Sequence, residues 1–169
     1  PHMRSTEDTI VVLTPAIPAT HSEWAWLRNN GFRIEKRSQM LGVLSEGKLV
    51  MAVAGTHGKT TTSTLAAWLD TAAASEGSAF LGGISRNFSS HLVFGAGRRL
   101  VVEADEDDRS FLRLHPDVAV ITAVDADHLD IYGTLDNLVA AFQQFALQSG
   151  TLLIEEQIAK YEEKMEKEA

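Results

Sequence analysis

Continuous apolar runs and stretches of helical period take turns along the chain. Residues 10–14 (IVVLT) predict a buried strand, and residues 21–31 (HSEWAWLRNNG) a helix capped by Ser22 and stopped by Gly31. FRIEKR follows as a short strand and SQMLGVLSEG as a short helix. Residues 49–54 (LVMAVA) show no alternation, as expected of a central parallel strand covered on both faces. From Thr60 onward, Leu65, Trp68, Leu69 and Ala72 recur at i, i+3, i+4 and i+7, which predicts one apolar helix face, with Gly77 marking the helix end.

Further on, AFLGG is strand-like and SRNFSSHLVFGAG reads as a polar loop or short hairpin. Residues 100–103 (LVVE) and 118–124 (VAVITAV) predict two more buried strands. Residues 135–147 predict a helix with Leu138, Val139, Phe142 and Phe145 inward, and TLLIEE a last strand. The tail QIAKYEEKMEKEA puts Ile158, Tyr161 and Met165 on one helical face. Strand–helix alternation of this kind predicts an α/β fold, a mainly parallel sheet flanked by helices. Trp24, Trp26 and Trp68 are expected to be packing residues, and His91 and His115 surface loop residues.

One turn carries chemistry. VAGTHGKTTT leads from the apolar strand through Gly55, Thr56, His57 and Gly58 into a helix that starts Lys59, Thr60, Thr61. The pattern G-x-x-x-x-G-K-[ST] would place its first glycine at Val53, so the loop is a shortened variant of the P-loop. A glycine turn that opens a helix concentrates free N–H groups and the positive helix end at one point, which suits a phosphate. Lys59 adds a charge for β/γ oxygens, and the Thr60 hydroxyl is a Mg²⁺ donor. A tight strand–helix turn that needs Gly55 and Gly58 for backbone reasons alone leaves the order Gly-Lys-Thr-Thr-Thr unexplained.

Two later segments reach the same sheet edge. Glu103 ends a predicted strand and opens EADEDDRSF, a run that taken alone reads as a solvated acidic loop. Emerging at the carboxyl end of a strand beside a P-loop, Glu103 is instead the candidate metal ligand, the other acids of the run being mostly solvated. His128, in VDADHLDIYG after the strand VAVITAV, is the third such feature and a second candidate metal ligand. A lone histidine after a strand is otherwise structural or solvated.

Composition narrows the partners. With Lys+Arg 15 against Asp+Glu 23 in 169 residues, the net charge of −8 disfavours nucleic acid and anionic membrane as main partners. No apolar run approaches the ~20 residues of a membrane span, no signal peptide is evident, and the absence of cysteine rules out disulfides and thiolate metal sites. A cytoplasmic location is expected. Pro1, His2 and Met3 read as a remnant of cloning and carry no fold information.

GTHGKTTT, EADE and DADHLDIYG, in this order, resemble the Mur ligases, the ATP-dependent amino-acid ligases of peptidoglycan precursor synthesis. VVLTPAIP and RSQMLG also resemble the family segment that leaves the N-terminal UDP-binding domain, so the likeness covers roughly residues 8–150. The wording DHLDIYG points to the branch that joins L-alanine to UDP-N-acetylmuramate, with the branch recycling murein tripeptide as the alternative. A non-catalytic nucleotide-binding module is a third possibility, against which the intact set Lys59, Thr60, Glu103 and His128 argues.

The resemblance implies that ATP phosphorylates the sugar carboxylate to an acyl phosphate, which the amino group then attacks. It implies that Gly55, Thr56, His57, Gly58, Lys59, Thr60 and Thr61 cradle the phosphates, and that Lys59 neutralises the migrating γ-phosphate. Thr60 and Glu103 then hold one Mg²⁺ and His128 a second. Several branches use a carbamylated lysine beyond the histidine; no lysine lies between Lys59 and Lys160, which fits the alanine branch. The resemblance further divides the chain into the exit of the UDP-binding domain (1–47) and the front part of the central ATP-binding domain (48–169). Alone, such a piece is expected to be inactive and to self-associate.

Overall fold

The computed structural model describes residues 6–13, 17–18, 20–107 and 109–155. It divides into two compact units, Pro1–Leu44 and Ser45–Ala169. In the first, strands β1 (Ile10–Leu13) and β2 (Arg33–Lys36) pair in parallel, with Ile10 opposite Arg33 and Leu13 opposite Lys36. Helix α1 (Ser22–Asn29) joins them, and α2 (Arg37–Ser45) follows β2 directly. The expected buried strand is only half covered, because Ile10 and Val12 face out at 44% and 46% exposure from a two-stranded sheet.

Helix α1 starts one residue earlier than expected. His21 is the N-cap, Ser22 is already helical, and Gly31 (φ +74°) follows the Asn30 C-cap in the left-handed region that favours glycine.

The second unit holds a six-stranded sheet in the order β5-β4-β6-β3-β7-β8. Its strands are β3 (Leu49–Ala54), β4 (Ser78–Ser85), β5 (Ser90–Val93), β6 (Arg99–Glu103), β7 (Val118–Ile121) and β8 (Thr151–Ile154). All neighbours are parallel except β4 and β5, the antiparallel hairpin foreseen as one reading of the polar stretch. β3 sits at the centre, with Ala52, Val53 and Ala54 fully buried, between β6 and β7. Three parallel strands therefore deliver their carboxyl ends to one edge, where open α/β sheets hold ligands.

Helix α3 (Lys59–Ala72) packs on β3, β4 and β6. Its buried positions are Ser63 and Ala67, not the predicted large apolar stripe. Leu65, Trp68 and Leu69 are 56%, 44% and 59% exposed. Small side chains let the helix lie close to Ala79, Leu81 and Val101 of the sheet, and the large ones are turned to its flank, where Trp68 meets Phe88. Trp26 is likewise half exposed and leans on Phe32, so neither tryptophan is a core residue. The helix also stops well before Gly77, at the Ala73 C-cap.

Helix α5 (Leu135–Leu147) has the predicted bounds and is capped by Thr134, whose hydroxyl accepts from Asn137 N. It buries Leu138, Ala141, Phe142 and Phe145 and packs on β7 and on a 3₁₀ turn, Ser110–Arg113. A one-turn helix, α4 (Leu129–Tyr132), precedes it. His115 is exposed in a loop, whereas His91 is exposed on β5. The tail with Ile158, Tyr161 and Met165, and the residues Pro1, His2 and Met3, lie outside the described residues.

Candidate functional site

The turn after β3 is built by backbone geometry and locked from β7. Gly55 has φ +128°, and a Cβ there would collide with Thr122 Oγ1 and come within 2.8 Å of Ala123 N. Gly58, at φ +81°, is the N-cap of α3, with no side chain capping the first turn. That leaves the opening N–H groups of α3 available to an anion. Thr56 N donates to Ala123 O at 2.9 Å, and Asp125 N donates to Thr56 Oγ1 at 3.1 Å. The Thr122 hydroxyl lies within reach of the carbonyls of Ala54 and His57. Gly55 and Thr56 are buried, while His57, Gly58, Thr60 and Thr61 are exposed. His57 Nε2 stands 3.5 Å from Asp125 Oδ2, both side chains being about two-thirds exposed at 66% and 65%.

Glu103 and Thr60 meet directly. The Thr60 hydroxyl donates to Glu103 Oε1 at 3.0 Å, and Gly82 N donates to Oε2 at 2.6 Å, with Ser63 Oγ at 3.4 Å. Sequence reading passed over Gly82. A Cβ there would strike the Glu103 carboxylate, so a larger residue at this position would displace that side chain from its present place.

Glu106 corrects the expectation that the remaining acids of the run are solvated. It is fully buried, and Lys59 Nζ donates to its two oxygens at 2.8 and 2.9 Å and to Gly55 O at 2.8 Å. The cause is the anchoring of the segment that carries it. Ala104, Phe111 and Leu114 are buried at 1%, 0% and 3% exposure, and the Phe111 ring stacks between Phe142 and Phe145. The buried Tyr132 hydroxyl donates to Glu106 O at 2.7 Å, and Arg109 lies over the Tyr132 ring at 4.9 Å. A phenylalanine three places after the acidic run was the available signal.

His128 adopts a left-handed conformation (φ +52°) at the cap of α4. Its Nε2 lies 3.6 Å from Glu106 Oε1, and its Nδ1 lies 3.3 Å from Asp107 Oδ1. The histidine therefore stands on the P-loop edge of the sheet, joined to Lys59 through Glu106. Thr60, Glu103, Lys59 and His128 all converge there.

Among the described residues no group of three or more His, Cys, Asp or Glu side chains is gathered as a metal cage. The hydroxyl of Thr60 and the carboxylate of Glu103 are hard oxygen donors. They fit a Mg²⁺ ion that takes its other ligands from phosphate and water. No helix among the described residues is long and apolar enough to cross a membrane.

Comparison with known proteins agrees with this layout. The profile of the Mur ligase middle domain matches residues 53–168, past the point near residue 150 where the resemblance was expected to stop. UDP-N-acetylmuramate–L-alanine ligase of Flavobacterium johnsoniae is 50% identical over 141 residues, which is 83% of this chain and 31% of that protein. The ligase of the same name from Porphyromonas gingivalis is 49% identical over 153 residues, 89% of this chain and 34% of that protein. The crystal structure of the Thermotoga maritima UDP-N-acetylmuramate–alanine ligase superposes with a TM-score of 0.77 at 27% identity, over 89% of this chain and 36% of that one. The chain thus spans about a third of the length of the curated relatives it matches. With the glycine turn, the acidic strand end and the histidine cap at one sheet edge, this chain belongs to the Mur ligase family, whose middle-domain profile its residues 53–168 match.

Proposed function

We propose that the chain supplies the nucleotide-phosphate site of an ATP-dependent ligase that joins L-alanine to the carboxylate of UDP-N-acetylmuramate in the cytoplasm. The observation that carries the reading is the pairing of Thr60 with Glu103 at 3.0 Å beside the open first turn of α3. In such a reaction a carboxylate oxygen attacks the γ-phosphorus and the bond to the β–γ bridging oxygen breaks. The amine then attacks the acyl carbon and phosphate leaves. The high identity to alanine ligases favours L-alanine over the murein tripeptide as the amine.

Phosphoryl transfer needs positioning and charge neutralisation more than covalent help. Each site residue has a task of that kind. The N–H groups from Gly58 to Thr61 orient phosphate oxygens, and Lys59 offsets charge on the migrating group. Thr60 and Glu103 would hold Mg²⁺, which when bound screens the β- and γ-oxygens. His128, on the same sheet edge, would be a ligand of a second cation. Residues 48–169 form the front of the ATP-binding domain in this reading, and 1–47 the exit of a UDP-binding domain. Groups that hold adenine, sugar nucleotide and amine lie largely in the other two-thirds of the relatives' length, so the chain alone is expected to lack turnover.

Lys59→Ala in a full-length ligase carrying this domain tests the reading. Loss of one preorganised charge donor lowers kcat by ~10³-fold. A loss below tenfold would reduce Lys59 to a structural residue. Assaying L-alanine beside the tripeptide in the same enzyme decides the amine.

A further inference from the structure

The Lys59 ammonium has three N–H donors, and all three are engaged. One goes to Gly55 O, and the other two to the oxygens of Glu106. The pair is enclosed, with side-chain exposure of 14% for Lys59 and none for Glu106. In this arrangement the lysine has no donor left for a phosphate, and the positive charge expected to attract one is cancelled at contact distance. The surroundings add more negative charge: Glu103 on Thr60, and Asp107 on His128.

The segment that carries Glu106 has anchors besides its carboxylate. Phe111 and Leu114 are buried, and Tyr132 and Arg109 N both donate to the main-chain oxygen of Glu106, not to its side chain. The carboxylate is therefore directed at Lys59, with His128 Nε2 3.6 Å away as the other cationic candidate facing it.

We infer that Glu106 is a positioning residue that competes with phosphate for Lys59, so that the turn accepts a polyphosphate only together with divalent cations. The inference rests on the reading of residues 55–61 as a phosphate site. A bare polyanion meets a neutralised lysine among carboxylates and is disfavoured by like charge. When cations arrive with it, Glu106 has a new positive partner and Lys59 can turn a donor toward the phosphate. A carboxylate freed in a buried place without such a partner would carry the cost of an unpaired charge.

Binding of inorganic tripolyphosphate to the 169-residue chain, by calorimetry in EDTA and in Mg²⁺, tests this. In EDTA, Glu106→Gln should bind at least about tenfold more tightly than wild type, the scale of a charge-assisted contact released. The gain should shrink in Mg²⁺ and vanish in the Lys59→Ala/Glu106→Gln double variant. Equal or weaker binding by Glu106→Gln in EDTA overturns the inference, because a merely structural carboxylate predicts that result.

If Glu106→Gln does not fold, Glu106→Asp retracts the charge by one methylene. It should show a smaller gain in the same direction, and wild-type affinity there overturns the inference equally. Failure of the underlying reading looks different: wild type and Lys59→Ala then bind tripolyphosphate alike in Mg²⁺.

Discussion

The Thr60 hydroxyl and the Glu103 carboxylate hydrogen-bond at 3.0 Å although they lie 43 positions apart in the chain. One opens α3 and the other closes β6, so the contact ties the start of that helix to the end of a neighbouring strand. Glu103 is also fixed from the far side by Gly82 N at 2.6 Å. Glu103→Gln keeps an acceptor for that N–H but removes the charge a cation needs. Its Mg²⁺-dependent affinity for ATP or tripolyphosphate should fall by ~10-fold or more, the scale seen when groups around a metal are altered, while the urea midpoint stays near wild type. Calorimetry and a urea melt on the same preparation separate the two effects. An unchanged affinity would leave Glu103 as a latch for β4 alone.

Gly55 and Gly58 both have positive φ, but only Gly55 lies against other backbone. Alanine at position 55 would meet Thr122 Oγ1 and the Ala123 main chain, whereas at position 58 its nearest neighbour is Thr122 Cβ at 3.7 Å. Gly55→Ala should cost about 2–4 kcal/mol, from the backbone region and the clash together. Gly58→Ala should cost about 1–2 kcal/mol, from left-handed strain alone. Denaturant midpoints rank the two, and the reverse order would show that the β7 exit yields more easily than its hydrogen bonds to Thr56 suggest.

The glycine turn into α3, the alternation of strands and helices along the chain and the bounds of α5 were legible because each depends on local pattern: glycine placement, continuous apolar runs, a 3.6-residue period. Glu106 was not. The acids that follow Glu103 read as mostly solvated, and the partner that buries Glu106 among them, Lys59, lies 47 positions earlier. Helix α3 misled for a related reason. Periodicity marks the large apolar stripe, but closeness to the sheet selects the small face of Ser63 and Ala67. Gly82 and Thr122 act through strand neighbours, which no local window contains.

Phe111 links core and site. It is fully buried against Phe142 and Phe145, with ring centroids at 5.3 and 5.2 Å, five positions after Glu106. Phe111→Ala should destabilise the chain by about 3–5 kcal/mol, as for other buried phenylalanines. It should also loosen the segment that holds Glu106 on Lys59. Hydrogen exchange should therefore show Arg109 N, which donates to Glu106 O, losing protection by more than amides of β3 do. Uniform loss across both would make Phe111 a core residue with no special hold on the site.

The sheet ends at β8, which pairs with β7 on one side; among the described residues no strand lies on the other. Leu152 and Leu153 there are 38% and 52% exposed, and an uncharged edge with open N–H and C=O groups invites another strand. In a purified sample β8 of a second copy is available to it, and two identical edges can meet about a two-fold axis. The 169-residue chain should therefore show a concentration-dependent rise in mass by light scattering. Leu153→Lys places a charge on the edge and should return the scattering to the monomer value, since natural edges use lysine in this way. A wild-type chain that stays monomeric at every concentration would show that the edge is already covered. Association that survives Leu153→Lys would move the contact elsewhere, with the exposed Leu65 and Leu69 of α3 the next surface to test.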